Sequence, residues 1–143
     1  MIDYMINPVF MGGLIKESSE GMVKIHLHGR LGVINVPRTV FIGEEGIEPG
    51  REVKFWFSYL QVVEKPYDYD SSGMYSAENI FPSLLGGKLT EVNDTAVRAE
   101  IMDQLGSVSV PRRWVFTDVP LEPGQNVEFY LSPVEIAEKR EQE

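Results

Sequence analysis

His26 and His28 are the two histidines of the chain, and they lie two residues apart in a segment that alternates apolar with polar. On an extended strand, residues i and i+2 share a face, so both imidazoles can reach one metal ion. The same alternation puts Lys24 and Arg30 on that face, and two fixed cations repel a third. The second half of the chain carries Glu100 and Met102 at the matching places. No metal site is therefore expected, and no cofactor. A different chemistry suits the cluster better. Lys24, His26, His28, Arg30 and Arg38, taken with Trp56, combine positive charge with a stacking ring. Small β-rich modules hold single-stranded nucleic acid by that combination. Arg112 holds the place in the second half that Arg38 holds in the first, and it joins the candidate binding residues. Each of these arginines also has a structural use, pairing with a carboxylate of its own half: Glu17 or Glu48 in the first, Glu91 or Glu122 in the second.

Charge decides between partners. The chain has 13 basic and 22 acidic residues, a net charge of −9, which repels a polyanion or an anionic membrane. A protein partner or a second copy of the chain is therefore expected, with nucleic acid as the alternative and no membrane. The acidity is uneven: residues 1–66 carry 7 basic and 8 acidic groups, whereas residues 79–143 carry 6 and 11. The near-neutral first half is the better place for a specific site. Catalysis is not expected. There is no cysteine, so thiolate chemistry, disulfides and cysteine zinc sites are excluded. The histidines sit side by side, no Gly-x-Ser-x-Gly elbow is present, and no glycine loop is followed by a lysine and a helix. The N-terminus lacks the basic and apolar regions of a signal peptide, and no apolar run is long enough to span a bilayer. A cytoplasmic setting is expected.

The elements that must position these residues come from an internal repeat. At an offset of 74, 17 of the 53 positions from 6 to 58 are identical without a gap. Gly12-Gly13 meets Gly86-Gly87, Leu31-Gly32 meets Leu105-Gly106, Val36-Pro37-Arg38 meets Val110-Pro111-Arg112, and Glu48-Pro49-Gly50 meets Glu122-Pro123-Gly124. Most of these residues are turn formers and apolar positions, so the repeat preserves a scaffold. Within each copy the apolar period is 2, the mark of half-buried strands. Strands are expected over Met22–His28, Gly32–Val36 and 53–58, with a weaker one at Leu14–Glu17, and over their counterparts around Val97–Ile101, Val108–Val110 and Val127–Leu131.

Short strands with turns every 8–12 residues predict an all-β chain of two tandem small β-barrels, SH3-like or OB-like: residues 1–64, a linker at 65–78, and residues 79–143. The order Gly-Gly, Leu-Gly, Val-Pro-Arg, Glu-Pro-Gly in both halves resembles a family of small β-barrel proteins from clostridial-type bacteria. The resemblance covers nearly the whole chain and implies the fold, without an activity or catalytic residues. The linker tyrosines are expected to pack across the joint between barrels. Residues to about Ile136 are expected as strand, then a frayed or helical tail. Trp56, Tyr130, Trp114 and Phe41 exceed what two small cores need, which suits an interface; filling the joint is the alternative.

Overall fold

The computed structural model describes residues 6–43, 45–75 and 79–137. The described chain is all-β, with eleven strands in one sheet. The first half supplies β1 (Val9–Ser18), β2 (Met22–Leu27), β3 (Val33–Pro37), β4 (Glu52–Phe57) and β5 (Leu60–Val63). The second supplies β6 (Ser83–Val92), β7 (Ala96–Ile101), β8 (Ser107–Pro111), β9 (Val115–Phe116), β10 (Asn126–Leu131) and β11 (Glu135–Ile136). Among the described residues no helix is long and apolar enough to cross a membrane.

Local chemistry sets the strands. On β2, Val23, Ile25 and Leu27 are buried while His26 is exposed. On β4, Val53, Phe55 and Phe57 turn inward and Trp56 turns outward. Pro37 and Pro111 end β3 and β8, where a residue without an N–H cannot extend a ladder. The Glu-Pro-Gly turns dock on the long hairpins in the same way in both halves. Gly50 and Gly124 donate their N–H groups to the carbonyls of Ile15 and Leu89. The next residues of β1 and β6, Lys16 and Thr90, are skipped by the ladder to the neighbouring strand and form bulges.

The ladders join the halves. The order runs β4-β1-β2-β3 through the first half and β8-β7-β6-β10 through the second. Val33–Asn35 pair with Ser107–Ser109 at one junction, and Phe57 pairs with Leu131 at the other, so the order returns on itself. Each half also lends its last strand to the other: β5 pairs with β10, and β11 pairs with β4. At the second junction two buried serines, matched by the repeat, bridge reciprocally. Ser58 Oγ accepts from Tyr130 N, and Ser132 Oγ accepts from Trp56 N, each at 2.8 Å. One core cluster draws on both halves, with Ile25, Phe55 and Phe57 of the first beside Leu85, Phe129 and Leu131 of the second. A fully buried side chain of this kind stabilises by about 1.5–3 kcal/mol. Separate sheets, one per half, are thus not what the chain forms. The edges that each half would expose are paired with the other half.

Three further expectations can be set against the structure. The strand expected over Met22–His28 stops at Leu27, because Gly29 and Arg30 take positive φ values of 77° and 58° and turn the chain away. Of the linker tyrosines expected to pack, Tyr69 does so, while Tyr67 and Tyr75 are exposed. Met74 is fully buried in the shared core, the Ser72–Tyr75 turn lies against the Arg38–Val40 turn, and Tyr69 lies on the second half; residues 76–78 lie outside the described residues. The C-terminal strand ends at Ile136 as expected, and the tail from 138 lies outside the described residues.

Candidate functional site

The basic residues do not converge. Lys24 and His26 project from β2, opposite Glu17 and Leu14 of β1. His28 and Arg30 lie in the turn after the strand, so alternation no longer places Arg30 on their face. The His28 ring leans over Gly12 and approaches Glu52, with Nε2 3.8 Å from Oε1. That pair is mostly exposed and contributes little. Trp56 lies opposite Phe10, four residues from Leu14 along β1, or about 13 Å. Arg38 lies beyond the far end of the same hairpin and donates from Nη1 to the Ser19 carbonyl at 3.0 Å. Arg112 repeats this contact on the Asn93 carbonyl at 2.7 Å. Both arginines therefore brace a hairpin turn against the end of β3 or β8, and their partner is a backbone carbonyl rather than the expected carboxylate. Among the described residues no three His, Asp or Glu side chains gather as a metal site.

Trp56 instead takes part in an apolar groove. Pro8, Ile42, Trp56, Ile80, Phe81 and Pro82 line it, with Asn79 and Glu135 as its polar members, and its volume is about 440 Å³. The groove lies at the β4–β10 junction, where the chain enters β1 and β6. Phe81 is 73% exposed, Phe10 is 49% exposed, and the Phe10 ring packs on Trp56 with centroids 5.1 Å apart. Glu135 approaches Lys54, Oε2 to Nζ 3.9 Å. Of the aromatics expected at an interface, Trp114 and Phe41 are buried, which bears out their alternative use as filling, and Trp56 is half-buried at the groove.

The repeat shows how the packing beside the groove differs from its counterpart in the second half. Positions 40, 42 and 59 correspond to 114, 116 and 133. In the second half Trp114 and Phe116 sandwich the Tyr59 ring, with centroid distances of 3.8 and 4.7 Å, and Trp114 Nε1 donates to the Ser58 carbonyl at 2.9 Å. At the matching place stand Val40 and Ile42 of the first half, with Pro133 of the second half in the position of Tyr59; Val40 and Pro133 are buried, and of the three only Ile42 lines the groove. Aliphatic side chains stand where rings fill the other side. Phe81 and Ile80 were missed from sequence, although one signal was present: Phe81 matches the polar Asn7 of the first copy.

A second polar feature lies under the segment after β5. Gly86 leaves room for the Tyr69 ring, where an added Cβ would stand 2.4 Å from Cε2. Tyr69 Oη donates to Glu128 Oε1 at 3.2 Å, and Glu128 is only 4% exposed. Burial pushes the Tyr69 phenol up to about 12, and the nearby Glu128 charge adds to the rise. Ser71 Oγ donates to Asp103 Oδ2 at 2.6 Å. The Ser72 N–H bonds to Asp70 and holds that carboxyl below its usual range. These contacts tie the segment down. Set against known proteins, the chain matches no protein-family model and no curated protein.

Proposed function

We propose that the chain is a non-catalytic binding module of the cytoplasm whose working surface is the groove at Trp56 and whose partner is a protein. The observation that carries this is Phe81, a large apolar ring 73% exposed beside a groove lined almost wholly by apolar side chains. Contiguous exposed apolar surface of this kind marks contact sites. Single-stranded nucleic acid needs cations beside the stacking ring, and here Lys24, His26, Arg30 and Arg38 are spread along the β1–β2 hairpin away from Trp56. The returning strand order supports reading the sheet as one small barrel with four staves from each half, in place of one barrel per half. The kinship with tandem small-barrel proteins of clostridial-type bacteria is proposed in that modified form.

Selection from a random-peptide display library tests the function. Peptides enriched on the intact protein are expected to lose most of their binding to the Phe81→Ser variant, whose fold the exposed position leaves untouched. Peptides that bind wild type and variant equally, or no enrichment at all, would overturn the proposal.

A further inference from the structure

A second cavity, of about 490 Å³, lies at the β3–β8 junction. Its polar lining is Asn35 of β3, Ser107 of β8, Arg98 and Glu100 of β7, and Gln104 of the turn between β7 and β8. Among the described residues, none of these five side chains has a hydrogen bond or an ion pair within the protein. Arg98 and Glu100 stand opposite Glu91 and Lys88 of β6 in the ladder and pair with neither. Ser107 is only 6% exposed. No fully enclosed side-chain oxygen or nitrogen among the described residues lacks a partner, so the free Ser107 hydroxyl opens onto the cavity. Convergent polar groups in a cavity are what fixes a small ligand in place. We infer that this cavity binds a free α-amino acid, with its carboxylate at Arg98, its ammonium group at Glu100, and Ser107 and Asn35 as hydrogen-bond partners between them. The site is separate from the Trp56 face and does not depend on it.

Charge selects the ligand. The cavity lining has one fixed cation and one fixed anion, Arg98 and Glu100. Two residues apart on a strand, they share a face at a spacing of about 6.7 Å. A ligand that is only an anion meets Glu100, and one that is only a cation meets Arg98. An uncharged ligand takes water from both ions and returns no charge to either. A zwitterion supplies each ion with its opposite, and its zero net charge is not opposed by the −9 of the chain. Spacing then selects among zwitterions. An α-amino acid carries both charged groups on one carbon, and a charge-assisted hydrogen bond of about 2.8 Å at each end lets it bridge the two side chains. Met22 and Ile101 complete the lining with apolar surface for its side chain. The repeat supplies a comparison inside the molecule. The scaffold glycine is kept, Gly32 for Gly106, and so is the cation, Lys24 for Arg98. Glu100, Gln104 and Ser107, however, stand where the first half has His26, Arg30 and Val33. Those places hold no carboxylate for an ammonium group, and a valine replaces the hydroxyl. The second half therefore carries the site.

Nuclear magnetic resonance titration of the full chain with L-leucine, L-methionine and L-glutamine reads this directly. Saturable shifts are expected at the amides of Gly106 and Ser107, and none at Gly32 and Val33. N-acetyl-leucine keeps only the anion and leucinamide only the cation. Each should bind at least about tenfold more weakly than L-leucine, as for loss of one hydrogen bond to a charged group. Arg98→Gln and Glu100→Gln should each raise the Kd for L-leucine by a similar factor, and both positions are exposed, so neither change threatens the fold. Phe81→Ser, at the other junction, should leave this Kd unchanged. The absence of saturable shifts with all three amino acids would overturn the inference. So would equal binding of the blocked forms, full affinity in either charge variant, or shifts centred on Gly32 and Val33. None of these readouts involves peptide selection at the Trp56 face, so each proposal can fail without the other.

Discussion

Tyr69 shows how one residue converts a stretch of polar composition into fixed structure. Its ring lies on the backbone of Gly86, and its hydroxyl is the donor to a carboxylate that has almost no contact with water. Replacing it by phenylalanine keeps the ring and removes the donor. Leaving the buried Glu128 without that bond should cost about 1–3 kcal/mol at neutral pH. The pH dependence has a definite direction. Burial raises the phenol to about 12 in the folded chain, against about 10 when unfolded. The folded state thus holds this proton more tightly, and the resulting stability is complete below pH 10 and lost as pH rises through 12. Urea unfolding of wild type and Tyr69→Phe at pH 7, 9 and 11 measures it. The gap between the two should be constant from 7 to 9 and narrower at 11. A gap that widens at pH 11 would contradict the buried phenol.

At the scale of elements, the β3–β8 junction depends on two glycines that the repeat places symmetrically. Gly32 has φ +111° and an added Cβ would stand 1.8 Å from the Ser109 carbonyl oxygen; Gly106 has φ +100° and a Cβ 1.7 Å from that of Asn35. Neither alanine fits without moving a backbone ladder. Gly32→Ala and Gly106→Ala should each destabilise by at least about 3 kcal/mol. Gly21→Ala, where a Cβ meets nothing within 4 Å, should change stability by less than about 0.5 kcal/mol. Denaturant midpoints of the three variants check this, and a tolerated Gly32→Ala would mean that the junction is looser than drawn. The sequence makes Leu-Gly visible twice but not its purpose. Period-2 alternation is a local property, so β2, β3, β4, β7, β8 and β10 were legible from it. β1 was legible only around Leu14–Glu17, because Val9 to Gly13 do not alternate. The two-residue strand β9 contains no period, and β11 was legible only because the repeat sets it against β5. The exchange of β5 and β11 between halves is a choice of partner, and that depends on which edges remain unpaired once the other strands have folded. The Trp56 groove was half legible: Trp56 was singled out, while Ile80 and Phe81 reach it across the halves from 24 and 25 residues away in the chain.

The whole molecule follows from those edges. A half alone would leave β3 and β4, or β8 and β10, with open N–H and C=O groups, which neither solvent nor a unit of about 60 residues compensates well. The halves share two junctions, two exchanged strands and one core. Unfolding should therefore be one cooperative event, although the sequence reads as two units. The chain supplies its own reporters, because it holds two tryptophans, Trp56 on β4 and Trp114 just before β9. Biosynthetic 5-fluorotryptophan gives each a resolved ¹⁹F resonance without mutation, which matters because Trp114 is buried and bonded to the Ser58 carbonyl. Both native resonances should lose intensity over the same urea range, coincident with the loss of far-ultraviolet circular dichroism. Independent barrels would instead unfold at their own midpoints, so a Trp114 signal that survives after Trp56 has gone, or the reverse, would show that the junction ladders do not couple the halves.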